Sequence, residues 1–229
     1  MIEQTLQLAP LTLIDGAWLQ GFTEASLAST RVGAPLFETY WDELGNGDWA
    51  INHPKIYRDV LAAMDIALPA TGSRAFAEDR RLQDASFRLP VYWLCLGKQP
   101  VSLRPEILGM NLAMELSGVG GTYRSAHRFL KHHGFPTTFV DLHNTIDNVS
   151  TGHSAWAADA IDAYMQSTQD IVSPDISWAR IRLGYESLSP IIDDPDELDF
   201  FAGTSKQAEA IASLKPPLHN PLDQARDAA

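Results

Sequence analysis

The chain has 229 residues, with 17 Lys and Arg against 29 Asp and Glu, a formal net charge of −12 and a pI near 4.9. That balance argues against a nucleic-acid binder, because phosphate contacts need a cationic surface. Hydrophobic residues at 45% and charged residues at 20% describe a globular chain able to bury a core, and one domain is expected over residues 1–214.

Helical spacing first appears at Leu27, Val32 and Leu36, leading into Tyr40, Trp41 and Leu44. This helix ends at the breaker Gly45-Asn46-Gly47. A second helix opens at Pro54, with Ile56, Tyr57, Val60, Leu61 and Met64 on one face, and stops before Pro69 and Gly72. The stretch from Phe76 to Leu96 reads as helical but bent at Pro90. Pro105 then starts a long apolar helix, Glu106 to about Leu130, in which Gly109, Gly118, Gly120 and Gly121 are embedded. Glycine costs about 1 kcal/mol in a helix interior relative to alanine, so these four predict a close helix contact, a kink or an opening.

Gly134-Phe135-Pro136 is a stop, and a further helix runs from about Thr138 to Met165. Amphipathic segments Ile176–Leu188 and Pro195–Leu214 complete a set of about seven helices. Residues 215–229 form a Pro-rich, polar tail expected to be loose. Strand signals are few, so the expected class is an all-α, single-domain helical bundle. The opening MIEQTLQLAP lacks the basic region and apolar run of a signal peptide, and no stretch reaches the roughly 18 apolar residues needed to span a bilayer. Cys95 is the only cysteine, which excludes an internal disulfide or thiolate cluster and fits a cytoplasmic location. It reads as a buried apolar packer.

Chemistry is expected where carboxylates and histidines fall on apolar helices, since buried acids need a partner or a metal. Glu115 lies in LGMNLAMELSGV, and no cationic residue occurs between Arg104 and Arg124. His143 and Asp147 are four apart and share a helix face, a usable chelating pair. His153 would lie about 80° from His143 on an ideal helix, and joins them only if the helix is distorted near Gly152. Glu43 and His53 flank the Gly-Asn-Gly turn, which folds both toward one point. Taken singly, each has a plainer reading: Glu115 on an outer helix face, the histidines hydrogen-bonded in the core, Glu43 solvated and His53 capping a helix. Together they offer oxygen and imidazole donors suited to iron or manganese. No Glu is followed three residues later by His, which rules against a ferritin-like layout.

These residues resemble the haem-oxygenase-like non-haem di-iron oxidases and oxygenases, also called iron-containing redox enzymes. The resemblance rests on WDELGNG at 41–47 with His53-Pro54 and Tyr57, on LRPEILGMNLAMELSGVGG at 103–121, and on LHNTIDNVSTGHSAW at 142–156, and covers roughly residues 10 to 170. It implies Glu43, His53, Glu115, His143, Asp147 and His153 as metal ligands, with Glu43, Glu115, His143 and Asp147 at the heart of catalysis. One departure stands out: the pattern puts the last histidine where this chain has Ser150, so His153 is its replacement and the second iron is expected to be labile. Haem oxygenase carries an axial His near the start of its first helix; the first histidine here is His53, so haem is not expected.

The resemblance further implies two Fe(II) per chain, O2 as co-substrate and a small organic substrate such as an amino acid or a derivative. The implied reactions are N-oxygenation, desaturation or oxidative C–C cleavage, with an external reductant compatible with each. Arg124 is the candidate for holding a substrate carboxylate, an ordinary surface ion pair being the alternative. No nucleic-acid or membrane partner is expected, and a homodimer is compatible with the sequence. The competing reading is a metal-storage or metal-free helical interaction protein.

Overall fold

Leu6, Ala9 and Leu13 recur at intervals of three and four, and in the computed structural model the segment around them is helical. The structure describes residues 2–119, 121–147 and 150–188. Among these lie eleven α-helices and no strand: α1 (Ile2–Thr12), α2 (Ala25–Ala28), α3 (Gly33–Glu43), α4 (His53–Ala63), α5 (Arg74–Ala77), α6 (Arg88–Gly97), α7 (Arg104–Val119), α8 (Gly121–His132), α9 (Thr138–Ile146), α10 (His153–Thr168) and α11 (Pro174–Glu186). Short 3-10 helices cover Ala17–Thr23, Trp49–Ile51 and Asp84–Phe87. The class is all-α, as expected, and the arrangement fits a haem-oxygenase-like helical domain.

The count exceeds seven for identifiable reasons. Helix α1 was not anticipated, because Pro10 and the polar Gln4, Thr5 and Gln7 obscure its apolar stripe. The expected helix over 27–44 is α2 and α3, parted by a turn in which the Thr30 hydroxyl accepts from the Gly33 amide at 2.9 Å. In 76–96 only α6 is long, and Pro90 falls in its first turn, where the missing N–H costs no helical bond. Of the helix expected over 106–130, the described residues on either side of position 120 are helical, as α7 and α8, while the one expected over 138–165 is divided into α9 and α10. The helix expected at 195–214 and the tail 215–229 lie outside the described residues. No helix among the described residues is long and apolar enough to cross a membrane.

Two apolar clusters organise these helices. One gathers Trp18, Phe22, Leu36, Trp93, Leu108 and Ile161 from the 17–23 segment and helices α3, α6, α7 and α10. The other gathers Leu6, Ala9, Ile56, Val60, Phe139 and Val140 from α1, α4 and α9. Helices α7 and α11 approach most closely: a Cβ on Gly109 would collide with the Ile181 carbonyl, and one on Gly184 with the Glu106 carbonyl. Gly109 is therefore the close helix contact that its position predicted. The Arg180 guanidinium closes this pair from outside, donating to both Glu106 carboxylate oxygens at 2.6 and 2.7 Å.

Cys95 is a correction: it is exposed, not buried. Helix α6 turns Pro90, Trp93, Leu96 and Gly97 inward, so Val91, Leu94, Cys95 and Lys98 form its outer stripe.

Candidate metal centre

Local structure brings ligand-type side chains to the seam between the two clusters. Helix α3 ends on Glu43, and Gly45, Asn46 and Gly47 follow with φ of 81°, 52° and 82°. A Cβ at Gly45 would strike the backbone of Asp48 and Asn52, so this reversal demands glycine twice over. Asn52 then staples the loop: its amide donates to the Leu44 carbonyl at 3.1 Å, and its side-chain oxygen caps α4 by accepting from Lys55 N at 3.0 Å. His53, the first residue of α4, is thereby set beside Glu43. Glu115 projects from the apolar helix α7. Helix α9 supplies His143 and ends at Asp147, whose ψ of 56° leaves the helical range; α10 restarts at His153. That interruption is the distortion His153 required.

Glu43, His53, Glu115, His143, Asp147 and His153 are each at most 6% exposed. The structure brings all six together and adds a seventh, Asp15, from the turn between α1 and the 17–23 segment. Four donors, Asp15, Glu43, His53 and His143, converge in one group, and Glu43, Glu115 and His153 in a second. Asp15 Oδ2 stands 3.5 Å from both His53 Nδ1 and His143 Nε2. His153 Nδ1 stands 3.4 Å from Glu43 Oε1, 3.2 Å from Glu115 Oε2 and 3.6 Å from Asp147 Oδ1. Glu43 belongs to both groups, with Oε2 against His53 and Oε1 toward His153.

These separations are informative. Charge-assisted hydrogen bonds are short, at about 2.7–2.9 Å, and the half-buried His127–Asp141 pair is closer still at 2.6 Å. Two donors on one metal ion, with bonds of about 2.0–2.2 Å and octahedral or tetrahedral angles, lie about 2.8–3.6 Å apart. The separations of Asp15 from its two imidazoles and of His153 from its three carboxylates fall in the second class, whereas His53 and Glu43 are in direct contact. Glu43 Oε2, His53 Nδ1, Glu115 Oε1, Asp147 Oδ1 and His153 Nδ1 are also buried without a well-directed hydrogen bond. Buried charged atoms left so cost several kcal/mol each unless an ion joins them. The two donor groups, which share Glu43, fit a metal site, and their oxygen and nitrogen donors are compatible with iron.

Electrostatics of the metal-free cluster point the same way. Burial pulls the imidazoles toward neutrality, but the Glu43 and Asp15 carboxylates lift His53 to about 11. Asp15 and Asp147 likewise lift His143 to about 9, against its burial, and Asp42 and Glu115 lift His153 to about 11. Burial, aided by Asp15, pushes Glu43 up, and burial raises Asp147 well above the usual carboxylate range. Asp15 goes the other way: burial opposes, but His143 and His53 hold it well below that range. Protons thus stand in for cations in a pocket built for positive charge.

Two histidines are oriented from behind. His143 Nδ1 donates to the Phe139 carbonyl at 2.8 Å, which turns Nε2 toward Asp15. His153 Nε2 donates to Asp42 Oδ2 at 3.0 Å, which turns Nδ1 toward the carboxylates. Tyr123 lies over the His143 ring at 4.7 Å between centroids, and Phe139 walls the same ring at 4.4 Å. Arg124, by contrast, is exposed on α8, and no described ion pair joins it to the cluster.

Sequence reasoning missed Asp15 and Asp42. Asp15 is the only charged residue between Glu3 and Glu24, the same lone-acid signal that singled out Glu115. The family described as iron-containing redox enzyme matches residues 4–185, a span that includes all seven side chains. Among curated proteins, none matches the chain.

Proposed function

The chain belongs to the iron-containing redox enzymes, a family of oxidoreductases, and on that premise we propose that it is a non-haem di-iron oxidase or oxygenase using O2. The observation that supports this reading above all is the buried cluster of donors, several without a well-directed hydrogen bond, gathered in two groups that share Glu43. Glu43, His53 and His143 would hold one ion, and Glu43, Glu115, Asp147 and His153 the other. Bound there, two ferrous ions supply the electrons and Lewis acidity that O2 reduction requires. The chain's own part is to fix donors and exclude water. Phe139 fixes His143 through its carbonyl, Asp42 fixes His153, and the rings of Tyr123 and Phe139 close the His143 side.

The proposed substrate is an amino acid or a close derivative, and the proposed reactions are N-oxygenation, desaturation or oxidative C–C cleavage. Arg124 is the proposed partner for a substrate carboxylate.

Anaerobic Fe(II) titration followed by O2 exposure tests this reading. Two irons per chain and O2 uptake accelerated by one class of amino acid are expected in the wild type. In Glu115→Ala, the second iron and the O2 uptake should be lost together. A wild-type chain that takes up no iron, or a Glu115→Ala chain that keeps two irons and full O2 uptake, overturns it.

A further inference from the structure

We infer that Asp15 is a seventh protein ligand, completing the site of the ion held by Glu43, His53 and His143. The inference rests on the dinuclear reading above and adds to it a residue from the N-terminal helical turn.

Geometry comes first. Asp15 Oδ2 is equidistant, at 3.5 Å, from two imidazole nitrogens on different helices, His53 Nδ1 on α4 and His143 Nε2 on α9. Both distances are long for a charge-assisted hydrogen bond, and both match the spacing of donors around a shared ion. A carboxylate that merely oriented one histidine would sit behind it, on the nitrogen turned away from the cluster, as Asp42 does with His153. Asp15 instead faces the same nitrogens that face Glu43 and the cluster.

Charge balance is independent of that geometry. Glu43, Glu115 and Asp147 bring three negative charges to two dications, and the histidines coordinate as neutral groups. One positive charge would remain unpaired in a buried pocket, a costly arrangement. Asp15 makes four against four. Asp42 does not substitute for it, because its side chain is 20% exposed and spends Oδ2 on the far nitrogen of His153.

The backbone also holds Asp15 in place. Gly16 has φ of 77°, and a Cβ there would come within 2.8 Å of the Tyr40 ring and 3.2 Å of the Glu43 side chain. Only glycine lets this turn press so closely on the bridging residue. On one side the turn is anchored by α1, whose Thr5 carbonyl accepts from the Tyr57 hydroxyl of α4 at 2.8 Å. On the other it is anchored by Trp18, whose indole donates to Asn111 of α7 at 2.8 Å.

Mn(II) titration followed by electron paramagnetic resonance counts bound ions without relying on turnover. Wild type should bind two. Asp15→Asn, isosteric and uncharged, should keep the ion at Glu115 and His153 and weaken the other by more than about 100-fold, beyond the roughly 10–100-fold typical of an outer-shell partner. Two ions bound by Asp15→Asn with a smaller loss overturn the inference while leaving the dinuclear reading intact. A wild-type chain that binds no pair of ions fails that reading itself. Should the variant not fold, anomalous diffraction from Mn-loaded wild-type crystals decides. An Asp15 oxygen at about 2.2 Å from an ion is expected, and Asp15 oxygens clearly outside bonding distance of both ions refute it.

Discussion

Asp42 is adjacent in sequence to Glu43 yet acts from behind His153, which makes its substitution a clean test of orientation. Asp42→Asn should lower Mn(II) affinity at the Glu115–His153 position by about 10–100-fold while the other ion is held normally, read by the same resonance titration. Protons and metal compete for these donors, and the sign can be worked out. The folded pKa values of His53, His143 and His153, about 11, 9 and 11, lie above the unfolded value near 6.5. Their contribution to metal-free stability is therefore complete below about pH 6.5 and lost as pH rises through about 9 to 11. Melting temperatures in chelator should fall over that window, whereas Mn(II) affinity should rise with pH as the imidazoles release their protons; titrations across the window check both. At this scale the sequence was readable wherever an acid or histidine interrupted an apolar helix, as at Glu115 and His143. Asp15 escaped notice because its surroundings, Leu13, Ile14, Gly16 and Ala17, read as a turn and not as the edge of a helix. Only the fold reveals that this turn lands on Glu43.

Helix α7 carries Glu115 six residues beyond Gly109, so its packing on α11 sets where that carboxylate lies. Gly109→Ala would drive a methyl group into the Ile181 carbonyl and force the helices apart. Overpacking of this kind typically costs about 1–3 kcal/mol. Urea denaturation should show a loss of at least that size, and metal titration should show the Glu115–His153 position weakened before the other. Breaks between helices explain most of the difference between expected and observed elements. The α9–α10 junction follows a run whose apolar spacing alone reads as continuous helix, because periodicity reports which face is buried and not where tertiary contacts stop the chain. The distortion near Gly152 was predictable only because His153 had to reach the cluster. Amides from Gly152 to Trp156 should accordingly gain protection from hydrogen exchange when Fe(II) or Mn(II) binds, with little change in α11.

Across the whole molecule, the metal-type donors are drawn from both apolar clusters: His53 and His143 from the helices of one, Glu43, Glu115 and His153 from those of the other. Ions bound at that seam would stabilise the two halves against each other. At a free metal concentration 100 times the dissociation constant, the gain is about 2.7 kcal/mol. For a chain of this length that corresponds to roughly 5–11 °C in melting temperature, measurable by scanning fluorimetry with and without chelator. The turn at Asp15 and Gly16 then has a consequence for the protein's lifetime. It joins α1 to the rest of the chain, and it is pressed onto a buried pocket whose donors protons alone hold together when no metal is bound. A protease added to chelated protein should nick near this turn first, and iron should close that door. Persistence of the intact polypeptide would then follow the supply of the element it uses, with starved molecules cleared ahead of loaded ones.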